Sequence, residues 1–435
     1  MFNPQKNQPT DHLQEPFSIN RRRFLRAAGA ATLAAFLSGC GLERGDQPAS
    51  GVADSVSTPS LPTLTPTSSP TPTLTRSLST ATSTATVEHE AFQSPLDSAL
   101  PSATQPPTPT TQPTPTPTPP PTPFPSGPPT KLGLFVAWYH PQIMDLIGTG
   151  NVTLLKTLEF DPAFLSEVKT RSPETIIVGR VTLGQLDLNR ADMGAEARRA
   201  VDAVLPLALD EQRAGLVDAW EGFNEPVPGN VGQMRKLADL ETERTRLLAE
   251  NGLRAVVGNF GAGQPPLEWW PAFRPALEAA QAHGGYLGLH EYSAPTIWFN
   301  TNRESLDFRA DSADEGWLTL RYRKVYRQYL IPWALRLPLL ITECGVDGLV
   351  DKRPGPPGKG WRDFADYWAE LGMGWDTPGN YVEQLAWYDS ELQLDDYVHG
   401  AAVFAMTAFD GWSSYQLEGD AAAILQQYLS VHPLQ

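Results

Sequence analysis

The chain has 435 residues and a formal net charge of −16. That acidity excludes nucleic acid as a partner and excludes an electrostatic membrane-binding patch. It has only two cysteines, Cys40 and Cys344, which excludes a disulfide framework and any cysteine-built metal site.

Residues 1–40 read as an export signal. Arg21-Arg22-Arg23-Phe24-Leu25-Arg26 fits a twin-arginine pattern, and residues 27–37 are apolar but too few to span a bilayer. Leu37-Ser38-Gly39-Cys40 reads as a lipobox, so Cys40 is the expected lipid-carrying N-terminus after cleavage. The alternative is a plain anchor helix with an incidental cysteine. With Cys40 lipidated, the protein is expected on the outer face of a bacterial cell membrane, touching it only through the anchor.

Residues 41–130 are dominated by Pro, Thr and Ser. Such a segment buries too little apolar area to offset its conformational entropy, so it is expected to be a disordered tether. Residues 131–435 hold all 12 Trp and are long enough for one large domain.

Within that domain eight strand–helix alternations can be read. The strand candidates are 132–138, 151–156, 175–181, 216–223, 254–259, 286–292, 339–343 and 400–405. Most are short apolar runs, as expected of parallel strands buried on both faces. Helical spacing marks 194–209, 231–251, 270–283, 317–335 and 381–397, with a short first helix near 141–147. Eight such units imply a closed (β/α)8 TIM barrel of α/β class rather than an open sheet. Two long loops, 293–315 and 345–379, follow strands 6 and 7, at the end where barrel active sites lie. There is no GxGxxG, P-loop, HExxH or GxSxG pattern, so no cofactor, metal or serine nucleophile is expected.

Two strand-like runs end in a carboxylate: Trp220-Glu221-Gly222-Phe223-Asn224-Glu225-Pro226 and Leu339-Leu340-Ile341-Thr342-Glu343-Cys344-Gly345. Glycosidic-bond hydrolysis needs such a pair, one group to protonate the leaving oxygen and one to attack or stabilise the sugar's cationic centre. Strand alternation sends Glu343 and Cys344 to opposite faces, so an inward Glu343 makes Cys344 an outward apolar filler. His290 and Tyr292 share one face of strand 6, and Glu291 points the other way. Arg180, at the end of strand 3, is a candidate cation for Glu343; for it, as for Lys156 at the end of strand 2, the alternative is a salt bridge with Glu221 or Glu159.

Asn-Glu-Pro after strand 4 and Thr-Glu-Cys-Gly after strand 7 resemble the clan A retaining glycoside hydrolases, which are (β/α)8 barrels. The resemblance implies that Glu225 is the acid/base and Glu343 the nucleophile. It implies that Asn224 binds the sugar 2-hydroxyl, that Tyr292 orients the nucleophile, and that Trp412, after strand 8, floors a sugar subsite. The family's strand-2 arginine is Lys156 here, which leaves the nucleophile's cation open between Lys156 and Arg180. His290 stays open between a core histidine and a site residue. Trp138, Trp298 and Trp361 are further stacking candidates, whereas Trp220, Trp333 and Trp387 are assigned to packing. The expected protein is a monomeric retaining O-glycoside hydrolase acting on an oligo- or polysaccharide outside the cell. The rival is a non-catalytic carbohydrate-binding surface lipoprotein on the same scaffold.

Overall fold

Eight parallel strands close on one another in chain order in the computed structural model, which describes residues 124–299, 301, 314–350, 353–373 and 376–434. They are β1 Leu132–Val136, β2 Leu154–Thr157, β3 Ile176–Gly179, β4 Ala219–Glu221, β5 Ala255–Phe260, β6 Tyr286–Ser293, β7 Leu339–Val346 and β8 Val398–Thr407. The expected (β/α)8 barrel is therefore the observed fold. The twin-arginine segment, the lipobox Cys40 and most of the Pro/Thr/Ser-rich stretch lie outside the described residues. Composition put the linker's end at 130, but residues 124–130 pack on the barrel's C-terminal segment. Gly127 N donates to Val431 O, Thr130 N donates to His432 O, and Phe124 packs edge-on against Tyr428.

Helices follow most strands: α1 Pro141–Ile147, α2 Pro162–Arg171, α3 Met193–Ala208, α4 Val231–Glu250 and α5 Trp270–Ala282 come first. Asp161, Asp192 and Asn230 cap α2, α3 and α4 by accepting a first-turn backbone N–H. Later come α6 Tyr322–Val325, α7 Ala365–Glu370, α8 Thr377–Leu392 and α9 Asp420–Ser430. The helical pattern read over 317–335 forms late and ends in a wider π turn, Tyr326–Leu330. Its start is set from outside the segment. Glu291, on the outward face of β6, accepts Leu320 N at 2.8 Å, Tyr322 N at 2.9 Å and the Tyr388 hydroxyl at 2.8 Å. Burial, opposed by those hydrogen bonds, pushes its carboxyl up to about 7. Glu291 is thus structural, as its outward face implied.

The core has two layers. Inside the barrel, Leu154, Val178, Ala219, Val256, Leu340 and Ala402 supply one apolar tier. Between strands and helices lies the larger layer, which includes Trp220, Trp270, Leu339, Ile341 and Cys344. Two residues beyond the inner tier, alternation brings polar side chains inward at Lys156, Arg180 and Glu221. The barrel therefore changes from apolar to charged toward the C-terminal ends of its strands.

Strand β7 would break this rule without a local irregularity. Leu340 faces inward and Ile341 outward, so simple alternation would turn Thr342 in and Glu343 out. The ladder slips at that point. Leu289 pairs with Ile341, but the next residue, His290, pairs with Glu343, and the β7–β8 register also shifts between Ile341 and Cys344. One extra residue in β7 resets the phase, and Glu343 turns inward while Cys344 stays in the outer layer.

Candidate active site

Glu225 lies four residues beyond the end of β4, in a segment whose path is tightly constrained. Its φ is +46°, and its N–H donates to the carbonyl of Asn259, which has φ +49°. Two non-glycine residues in the left-handed region, joined by one hydrogen bond, mark stored backbone strain at this point. Gly261 leaves the space that Glu225 fills, since a Cβ there would stand 3.1 Å from the Glu225 carboxyl carbon.

Glu343 is held by three donors. Lys156 Nζ donates to Oε1 at 2.9 Å, Arg180 Nη1 to Oε1 at 3.2 Å, and the Tyr292 hydroxyl to Oε2 at 2.9 Å. His290 Nδ1 is 3.4 Å from Oε2. Both cations left open by the sequence are thus partners of Glu343. The structural alternative for Lys156 is also realised, because its Nζ is 3.0 Å from Glu221 Oε2. Arg180 further donates to Asn224 Oδ1. That engages the amide oxygen of Asn224, whose NH2 group remains a donor.

His290 is a site residue rather than a passive core histidine. Its Nδ1 is 2.8 Å from Glu225 Oε1, and its Nε2 is 3.4 Å from Lys156 Nζ. Burial pushes its pKa down to about 3; Glu343 opposes this, and Lys156 and Arg180 add to it. The ring is therefore neutral at ordinary pH. An ammonium can only donate, so Nε2 is the acceptor and the proton sits on Nδ1, donated to Glu225 Oε1.

The two glutamates are driven apart in proton affinity. Burial raises the Glu225 carboxyl well above the usual range, and the charges of Glu343 and Asp347 raise it further, against Lys156 and Arg180. Burial also acts to raise Glu343, but His290, Lys156 and Arg180 together hold it below the usual range. With His290 neutral, Lys156 and Arg180 carry that effect. One carboxyl keeps its proton while its neighbour is ionised, a division of acid and base roles set by environment.

Glu225, His290 and Glu343 present ligand atoms that all lie within 4.8 Å of one another. A metal could in principle use such a trio, but Lys156 and Arg180 already supply the positive charge at Glu343. The same bound places a carboxylate oxygen of Glu225 within 4.8 Å of one of Glu343.

Sequence reading missed Asp347 and Tyr415. Asp347 follows β7, is buried, and accepts Leu349 N at 2.9 Å and the Tyr415 hydroxyl at 2.7 Å. Burial pushes its carboxyl up to about 6, against those two hydrogen bonds and Arg353. Its available signal was the strand period: residues 343, 345 and 347 share a face.

The tryptophans divide. Trp412 is half-buried and packs against Phe404 and Tyr415, and Phe404 in turn packs on Tyr292. Trp138 is exposed at the barrel mouth beside Phe409. Trp361 is not a stacking residue, because it is buried, stacked on Tyr381, and donates Nε1–H to Tyr415 O. Trp298 is half-buried and packs edge-on against Trp387. Trp220 and Trp333 are packing residues, as read.

No protein-family profile matches the chain, and no curated protein does. Among solved structures, a GH128 (subgroup II) endo-β-1,3-glucanase from Sorangium cellulosum is 18% identical, with a TM-score of 0.40 over 70% of this chain and 100% of that one. A GH128 (subgroup I) endo-β-1,3-glucanase from Amycolatopsis mediterranei, in complex with laminaritriose, is 14% identical, with a TM-score of 0.39 over 69% and 99%. A β-glucuronidase from Ruminococcus gnavus is 12% identical, with a TM-score of 0.40 over 69% of this chain and 49% of that one.

Proposed function

We propose that this chain is a retaining O-glycoside hydrolase that works by double displacement, with Glu225 as acid/base and Glu343 as nucleophile. The observation that carries the reading is the pair itself: two buried carboxyls with oxygens within 4.8 Å and opposite proton affinities. Retaining pairs stand about 5–5.5 Å apart, whereas inverting pairs need about 6.5–9.5 Å to admit water.

In the first step the ionised Glu343 attacks the anomeric carbon. The bond to the glycosidic oxygen breaks, and that oxygen takes the proton held by Glu225, leaving as an alcohol. With Oε1 of Glu225 accepting from His290, the transferable proton sits on Oε2. In the second step Glu225, now ionised, takes a proton from water. The resulting hydroxide equivalent attacks the anomeric carbon, and Glu343 leaves as a carboxylate. Tyr292, Lys156 and Arg180 hold Glu343 in line for both steps. In this reading Asn224 donates to the 2-hydroxyl, a contact that strengthens in the transition state. We also propose that the enzyme acts outside the cell, tethered through Cys40, on the strength of the twin-arginine and lipobox motifs alone.

Glu343→Gly with added azide tests the reading. Azide should enter the vacated space, restore turnover of an activated aryl glycoside, and give a glycosyl azide of inverted configuration. Azide with Glu225→Ala should give the retained product, because it intercepts the glycosyl-enzyme. Hydrolysis by Glu343→Gly at the parent's rate would refute the nucleophile assignment.

A further inference from the structure

Trp138 is 38% exposed, Tyr139 is 49% exposed and Phe409 is 53% exposed. All three follow the C-terminal ends of β1 or β8, at the same end of the barrel as Glu225 and Glu343. Exposed apolar side chains that lie together, rather than singly, mark interaction sites and ligand-binding grooves.

The group is tied down at its base and continuous with the site. Buried Thr407 clamps the turn after β1: its Oγ1 accepts Ala137 N and Trp138 N, both at 3.1 Å, and donates to Trp138 O at 2.9 Å. The Trp138 and Phe409 rings meet at 5.5 Å with a 62° tilt, so their outer faces form a bent shelf. From Phe409 the path inward is unbroken. Trp412 N donates to Phe409 O at 3.0 Å, Trp412 packs on Phe404 at 6.2 Å, and Phe404 packs on Tyr292 at 6.2 Å. Tyr292 hydrogen-bonds Glu343.

We infer that the Trp138–Phe409 shelf is an outlying sugar subsite that carries the distal units of a neutral polysaccharide chain whose reacting unit lies between Glu225 and Glu343. The inference rests on the hydrolase reading and adds a polymeric, uncharged substrate to it. Indole and phenyl faces cover the apolar C–H faces of pyranose rings and offer nothing to a carboxylate. Asp410, adjacent to Phe409 and exposed, disfavours an acidic chain. Lys359, the cation over Trp412 at 5.6 Å, is engaged with Gly411 O at 2.8 Å. A bent, clamped platform loses little entropy on binding.

The test uses the full chain and neutral tri- and hexasaccharides of β-1,3-glucan, β-1,4-glucan, xylan and mannan, with an aryl glycoside as the short reference. Trp138→Ala and Phe409→Ala should each lower kcat/KM on the cleaved hexasaccharide about tenfold more than on the aryl glycoside, the loss of one ordinary stacking contact. Equal losses on long and short substrates would overturn the inference. Binding of the same hexasaccharides to Glu225→Gln, with and without Trp138→Ala, separates the two claims. Hexasaccharide that binds about tenfold more weakly on Trp138→Ala supports the shelf even if the parent cleaves nothing and the hydrolase reading fails. Binding that Trp138→Ala leaves unchanged, or no binding at all, would overturn it. A dimer that Phe409→Ala dissociates, with glycan affinity unchanged, would assign the shelf to a second copy of the chain and equally overturn it.

Discussion

His290 stands opposite Glu343 across the β6–β7 ladder, although the preceding pair, Leu289 and Ile341, would place Thr342 there. The slip brings the nucleophile candidate inward, within 3.4 Å of the histidine that also touches Glu225. Its cost is visible next door. Thr342 is fully buried, and its hydroxyl has no hydrogen-bond partner among the described residues.

Thr342→Val should therefore stabilise the protein by about 1 kcal/mol, by replacing an unsatisfied buried hydroxyl with a methyl group of similar volume. Equilibrium urea unfolding measures this. A destabilised variant would mean that the hydroxyl has a partner, such as an ordered water.

Lys156 joins Glu343, Glu221 and His290. Lys156→Met should lower kcat about a hundredfold, as expected on losing one fixed charge from a water-poor site. With one cation gone, the Glu343 carboxyl rises, so the acidic limb of the kcat/KM profile should move to higher pH. Leaving Glu221 without its partner should cost about 3 kcal/mol in addition. Because stability and pH profile are read separately, an unmoved acidic limb would limit Lys156 to a structural role.

Asp347 helps to raise Glu225, together with burial and Glu343 and against Lys156 and Arg180. On the proposed mechanism, activity should be lost as pH rises through the Glu225 pKa, where the acid would lose its proton. Asp347→Asn keeps an oxygen to accept from Tyr415 but removes the charge present above about pH 6. The Glu225 pKa should fall, and the basic limb should move to lower pH. A basic limb that stays in place would show that Asp347 does not act on the acid.

The pH dependence of stability has its own sign. Glu291, raised to about 7, binds a proton more tightly in the folded chain than in the unfolded one. Its contribution is greatest below the ordinary carboxylate range and is lost as pH rises toward 7. Denaturant titrations across that window should show stability falling for the parent. Glu291→Gln, weaker at every pH for losing an acceptor, should show a shallower fall. An equal slope in both would assign the fall to the other raised acids.

Cys40→Ala should remove the lipid anchor and shift the protein out of the membrane fraction or leave it unprocessed. Fractionation of cells with a lipid label reads this directly, and persistent membrane attachment would refute the lipobox.

The strand–helix alternation and the two acid-ending runs were legible in the sequence because both are local. Apolar runs must bury both faces in a parallel barrel, so β1 to β8 fall within a few residues of their expected places. Glu225 and Glu343 could be named because each ends such a run, and Cys344 could be set aside because neighbours on a strand point apart. Long-range matters were not legible. Alternation counted from Leu340 would have turned Glu343 outward, and only the pairing of β7 with β6 and β8 absorbs Thr342 as the extra residue. The choice between Lys156 and Arg180 had no local signal either, because both ends of adjacent strands converge on one carboxylate from across the barrel. Trp361 looked like a sugar platform from its loop, yet burial and stacking on Tyr381 decide its place. Sequence sets which face a side chain takes relative to its neighbours, through the period of the backbone. Register, burial and proton affinity depend on what the rest of the chain brings against that face, and the tertiary structure alone decides that.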